Sequence, residues 1–230
     1  MKILAFECSA GPASCAIWED GSLLATGFTN VKLTHSQTLV PMADSVLKSA
    51  MLTLADIDAF AIACGPGSFT GVRIGLAAVK GLAQPQNKPC VAVSTLAAMS
   101  RRFACFEGTV CALMDARRDQ FYNAVFTCKN GIVTRVCEDR AASIAEIEDA
   151  LNSLSGNIIL TGDGAKLFYS KTAIDKSRLT LPVPELLYQH AAGVAMEAAA
   201  NYNPVSAQNL FPVYLRMSQA ERELKEKGDN

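Results

Sequence analysis

Apolar residues along this chain follow two rhythms: short runs suited to strands, and longer stretches in which they recur every three or four positions. Residues 2–8 (KILAFEC), 13–19 (ASCAIWE) and 22–28 (SLLATGF) predict three strands, with EDG at 19–21 supplying a tight hairpin turn. From Ser36 to Ala50, Leu39, Met42, Ala43, Val46, Leu47 and Ala50 fall at helical spacing, with Asp44 and Lys48 on another face. A buried strand at 58–63, the glycine-rich segment GPGSFTGVRIG at 65–75, a helix to about Ala83, the strand CVAV and a helix from about Thr95 follow. The order is β-β-β-α-β-α-β-α.

The second half repeats it. TVCALMD and QFYNAVFTC are strand-like, KNG at 129–131 is a hairpin turn, and IVTRVCE predicts a third strand. A helix over about 143–154 opens with Ser143 and Glu146 in capping-box spacing, and the strand NIILTG enters a second glycine turn, GDGA. Two copies of one β-β-β-α-β unit predict an α/β protein of two similar lobes facing a cleft. The expected division is residues 1–106 plus about 207–230 for the first lobe and 107–206 for the second, with an Ala-rich helix over 185–202 and a charged C-terminal helix returning to the first lobe.

Composition narrows the classes. Half of the 230 residues are hydrophobic, and 21 basic against 22 acidic residues leave a formal charge of −1. That balance lacks the electropositive footprint that nucleic-acid backbones select. Glu7 interrupts the first apolar run too early for a signal peptide, and no stretch approaches the roughly 20 apolar residues of a membrane span, so a cytoplasmic protein is expected. Eight cysteines without any C-x-x-C pair read as reduced, buried thiols, although a Cys–His pairing with His35 or His190 stays open.

The glycine segment sits between strand and helix, where a phosphate loop would. It fails the Walker pattern, because Thr70 stands five residues after Gly65 and Val72 five after Gly67. It fails the dinucleotide pattern too, since Gly71 comes one residue late.

ILAFECSAGPASCAIWEDG, HSQTLVPMADSVL, GPGSFTGVRIGLAAVKGLA, VSTLAAM, MDARRDQFYNA and PVYLR resemble, in order, the markers of the bacterial TsaB family, also called YeaZ. The resemblance spans nearly the whole chain. It implies the actin/Hsp70/sugar-kinase ATPase fold and a role as noncatalytic partner and activator of TsaD in forming threonylcarbamoyladenosine at position 37 of tRNAs that read codons beginning with A. It also implies a ternary complex with TsaE, an ATPase, with tRNA touched only indirectly and no membrane involved.

Residue chemistry separates the chain from the catalytic relative TsaD. Where TsaD carries two histidines one helical turn apart, VSTLAAM aligns Thr95 and Met99, so no metal site is expected. The fold group's phosphate turns are altered as well. Glu7, Cys8 and Ser9 replace an Asp-x-Gly-Thr-type turn, Asp115-Ala116-Arg117-Arg118 lacks glycine, and Gly162 and Gly164 flank the acidic Asp163. No cofactor is expected, weak ADP or ATP binding in this vestigial cleft stays open, and hydrolysis is not expected. Arg117 and Arg118 are either a solvated turn or a contact for a carboxylate or phosphate of TsaD, TsaE or tRNA. The rival readings are a small-molecule kinase or ATPase of the same fold, and a TsaD-directed peptidase.

The glycines after the loop need a packing reason, since each glycine inside a helix costs about 0.5–1 kcal/mol relative to alanine. Close approach of another helix supplies one, from the same lobe or from another protein. The resemblance favours the latter: helix 36–50 (Leu39, Met42, Ala43, Val46) and helix 70–82 with the residue before it (Phe69, Thr70, Gly71, Arg73, Gly75, Leu76, Ala77, Lys80) are expected to form a four-helix seam with TsaD, or with a second copy when TsaD is missing.

Overall fold

The computed structural model describes residues 1–31 and 33–216; the charged helix expected beyond Arg216 lies outside them. Strands β1 (Lys2–Glu7), β2 (Ala13–Glu19) and β3 (Ser22–Thr29) form the expected antiparallel meander, with Asp20 and Gly21 both at positive φ in the tight turn. Helix α1 (His35–Ser49) leads to β4 (Ala59–Gly65), which lies parallel to β1 and is buried along its whole length, as a central parallel strand requires. Helix α2 (Phe69–Ala83), capped by the Ser68 hydroxyl accepting from Gly71 N, then leads to β5 (Cys90–Ser94) and α3 (Thr95–Arg101).

The second sheet repeats this wiring. β6 (Gly108–Asp115), β7 (Gln120–Lys129) and β8 (Ile132–Arg135) are antiparallel, and α4 (Ile144–Asn152) precedes β10 (Ile158–Thr161), parallel to β6. The Ser143–Glu146 capping box forms as its spacing predicts. The third strand is shorter than expected: Val136 N and Cys137 N both turn onto Val125 O, and β9 (Arg140–Ser143) resumes pairing further along β7. Helix α5 (Ala165–Lys171) and β11 (Leu179–Thr180) complete the sheet, ordered β11-β10-β6-β7-β8.

The tail departs from expectation. The helix expected over 185–202 is split: α6 (Pro184–Leu187) is one turn, His190 is extended, and α7 (Ala191–Ala200) starts where the His190 ring accepts from Ala192 N. α7 was expected with the second lobe, but it packs on the first sheet. Its Ala191, Val194, Ala195 and Ala198 meet Ile3, Ala5, Ala61 and Val91. Small side chains on both surfaces allow that close approach, and a Cβ on Gly193 would lie 2.2 Å from Ala98 O. β12 (Pro204–Val205) also joins the first sheet, beside β5, giving the order β12-β5-β4-β1-β2-β3. α1 and α2 cover one face of this sheet and α7 with α3 the other, while α3 also packs through Leu96 and Met99 on the second sheet.

Candidate functional site

The corresponding turns of the two repeats meet at a cleft of about 500 Å³, bordered by Ser9 to Gly11, Gly67 to Phe69, Met114 to Arg118, Asp163 and Arg216. Glu7, at the end of β1, turns back on its own chain: its Oε1 accepts from Ser9 N at 2.6 Å, and the residue is 1% exposed. Burial pushes its carboxyl up to about 7, opposed by hydrogen bonding from Ser9 and reinforced by Asp163. Glu7 Oε2 and Ser9 Oγ have no hydrogen-bond partner among the described residues.

The turn glycines serve chain crossings. A Cβ on Gly67 would lie 2.4 Å from Ser9 O, whose carbonyl accepts from Ser68 N. Gly162, at φ +107°, would place one 2.0 Å from Leu113 O, and Gly164 one 2.9 Å from Asp115 N. Asp163 accepts from Gln189 Nε2 at 2.7 Å, and burial raises its carboxyl despite that bond. Asp115 accepts from Arg117 N and pairs with the Arg117 guanidinium at 3.2 Å, while Arg117, Arg118 and Asp119 are three successive residues at positive φ. The Arg117 and Arg118 side chains are exposed at the rim.

A polyphosphate does not suit these turns: the glycines that would let backbone approach it, Gly67, Gly162 and Gly164, are closed by the chain's own backbone, although Arg117, Arg118 and Arg216 border the cleft beside Asp163. Among the described residues no group of three or more His, Cys, Asp or Glu could hold a metal ion. Both histidines engage backbone groups rather than a thiol: His35 Nε2 lies 2.8 Å from Ala10 O and His190 Nδ1 accepts from Ala192 N.

The helix pair requires a larger correction. Leu39, Ala43, Val46, Gly71, Gly75 and Leu76, expected at a partner seam, are buried in this chain's own first core. A Cβ on Gly71 would lie 2.2 Å from Cys8 O, and one on Gly75 would lie 2.6 Å from Cys8 Sγ, so these glycines let α2 settle onto the end of β1. Met42 is half-buried above Gly27. Thr70, Arg73 and Ala77 face outward, followed by Gly81, where a Cβ would meet none of the described residues within 4 Å.

Phe69, Arg73 and Lys80 already have partners in this chain. The segment after β12 runs over α2: Tyr214 stacks on Phe69 at 4.5 Å and accepts from Arg73 Nε at 2.7 Å, and Lys80 lies 5.1 Å from the Phe211 ring centre. Sequence reasoning assigned no role to Leu210, Val213, Tyr214 or Arg216. Pro204 and Pro212 mark residues 203–216 as a helix break, and scattered apolar residues were the only hint that the segment after β12 packs.

Two sheets of matching topology around a cleft define a two-lobed α/β protein of the actin/Hsp70/sugar-kinase fold group. A likeness to component A of (R)-2-hydroxyglutaryl-CoA dehydratase from Acidaminococcus fermentans, with TM-score 0.51 at 13% identity over 87% of this chain and 100% of that one, is a likeness of fold alone. The family model described as TsaD, tRNA N6-adenosine threonylcarbamoyltransferase, matches residues 29–202. The tRNA threonylcarbamoyladenosine biosynthesis protein TsaB of Escherichia coli (strain K12) is 31% identical over 232 residues, 97% of this chain and 98% of that protein. The structure of YeaZ from Pseudomonas aeruginosa superposes with TM-score 0.78 at 28% identity, over 93% of this chain and 99% of that one. The chain belongs to the TsaB family, within the wider group that the TsaD model describes.

Proposed function

We propose that this chain works in tRNA threonylcarbamoyladenosine biosynthesis as a noncatalytic subunit. It docks on TsaD and activates it for transfer to position 37 of tRNAs reading codons that begin with A, and it supports ATP-dependent docking of TsaE. Family membership supports the pathway. The noncatalytic reading rests on the cleft, whose turn glycines Gly67, Gly162 and Gly164 are closed by the chain's own backbone and whose 115–118 turn has no glycine for close backbone approach. No cofactor is required, and tRNA is reached only through the partner.

The docking face proposed is the outward side of α2, and one observation carries it. Thr70, Ala77 and Gly81 form an exposed stripe of small residues, and a Cβ on Gly81 would meet none of the described residues within 4 Å. A glycine on the exposed face of a helix costs stability that none of the described residues returns by packing on it, whereas a second helix could lie close against it. Without TsaD, a second copy takes the same face. Arg118, exposed at the cleft rim, is available to a carboxylate or phosphate of a bound partner.

Coexpression with the cognate TsaD, mass measurement of the product, and modification assays with and without this chain test the reading. A stable one-to-one complex and modification that depends on this chain are expected. Equal modification without it overturns the activator role.

A further inference from the structure

Residues 210–216 touch both lobes at the mouth of the cleft. Leu210 is fully buried in the first core and anchors the segment, and Val213 N donates to Cys64 O at 2.8 Å. The path is flush with the sheet: Gly65, at φ +123°, would place a Cβ 2.3 Å from Val213 O. Beyond it, Tyr214 holds α2 through Phe69 and Arg73. Leu215 packs with the cluster around α3, β6 and β7, and Arg216 Nη1 donates to Ala116 O at 2.6 Å. Phe69, Ala116 and Arg216 all border the cleft. One stretch of chain therefore grips the first lobe's helix with one side chain and the second lobe's turn with another.

We propose that residues 210–216 are an interlobe latch, and that a protein docking on the outward stripe of α2 releases it by drawing Arg73 away from Tyr214. The second clause rests on the docking face proposed above. Arg73 is the shared element, because it belongs to the outward face and also donates to the Tyr214 hydroxyl. Phe211, 63% exposed, Val213 and Tyr214 lie on the solvent side, where a docked partner reaches them. The 116–120 turn, with three residues at positive φ, loses an external hydrogen bond on release.

Hydrogen exchange on the full chain tests both clauses. Tyr214→Ala and Arg216→Ala should each speed exchange in the 116–120 turn by about tenfold, and Arg216→Lys, which keeps a donor, should restore most of the protection. Because the two grips act in series, the double variant should exchange no faster than the faster single variant. Unchanged exchange, or effects that multiply, overturns the latch. Added TsaD should raise exchange in the turn of the wild type toward that of Arg216→Ala. Slowing of exchange in the turn overturns release. If TsaD binds no form of the chain while the variants alone behave as expected, the latch stands and the docking face is wrong.

Discussion

At the scale of single residues, the three glycines along α2 have different physical reasons and should respond differently to one methyl group. A Cβ on Gly71 would meet a backbone carbonyl at 2.2 Å, whereas one on Gly75 would meet the Cys8 Sγ and the Ile62 Cδ1, side-chain atoms that can shift. Gly71→Ala should therefore lower the urea midpoint by the equivalent of about 3 kcal/mol, and Gly75→Ala by about 1–2 kcal/mol once the helix-propensity gain is counted. Gly81→Ala meets nothing among the described residues and should stabilise by about 0.5–1 kcal/mol. Weakened TsaD binding by that stabilised variant would support the close helix approach proposed for it. Glu7 makes a prediction about pH. A carboxyl raised from 4.5 to about 7 by burial is protonated in the fold while the unfolded chain is already ionised, so its stabilising contribution is full below about pH 4.5 and lost as pH rises to about 7. Glu7→Gln keeps an oxygen to accept from Ser9 N. Its stability advantage over the wild type should grow from pH 4.5 to 7, reach on the order of 3 kcal/mol, and stay level above that; a constant difference in chemical denaturation would refute the buried-acid account.

At the scale of elements, spacing and local chemistry made most of the fold legible. The meander, the glycine-rich turn into α2, α2 itself and the capping box at α4 follow from residues within a short stretch of each other, and those elements are present in the folded chain. Ser143→Ala removes a hydroxyl that accepts from Glu146 N and should cost about 1 kcal/mol in thermal or chemical denaturation. The misread elements share a cause. Eighteen alanine-rich positions looked like one helix from 185, yet His190 is extended because its ring, tied to Ala192 N, caps the helix that follows. Helical periodicity identified which residues of α1 and α2 line up, but not whether the covering surface belongs to the same chain. Leu39, Val46 and Leu76 proved to face the chain's own sheet.

At the scale of the whole molecule, burial inside and docking outside become separate experiments. Ala77→Glu alters an exposed position of α2 and should leave the melting temperature within a few degrees of wild type, yet abolish both self-association and TsaD capture in size exclusion and pulldown. Gly75→Arg should instead unfold the chain, so it cannot report on an interface. Retained TsaD capture by folded Ala77→Glu would move the seam off α2. Homodimer and TsaD complex should also compete, with the dimer fraction falling as TsaD is titrated in.

The duplicated order of elements, the failed phosphate-loop patterns and the missing histidine pair were determined by the sequence alone, because each depends on residue types at fixed short spacings. Tertiary structure decided where α7 and β12 pack, which glycines face inward, and that residues 210–216 cross from α2 to the 115–118 turn. Those outcomes depend on contacts between positions far apart in sequence, such as Ala191 with Ser14, 177 residues apart, and Arg73 with Tyr214, 141 apart. In GPGSFTGVRIG, local rules recognise a turn into a helix; only Cys8 and Ser9 just past β1 and the crossing chain at Val213 explain why Gly65, Gly67 and Gly71 can have no side chain and why Gly75 has little room for one.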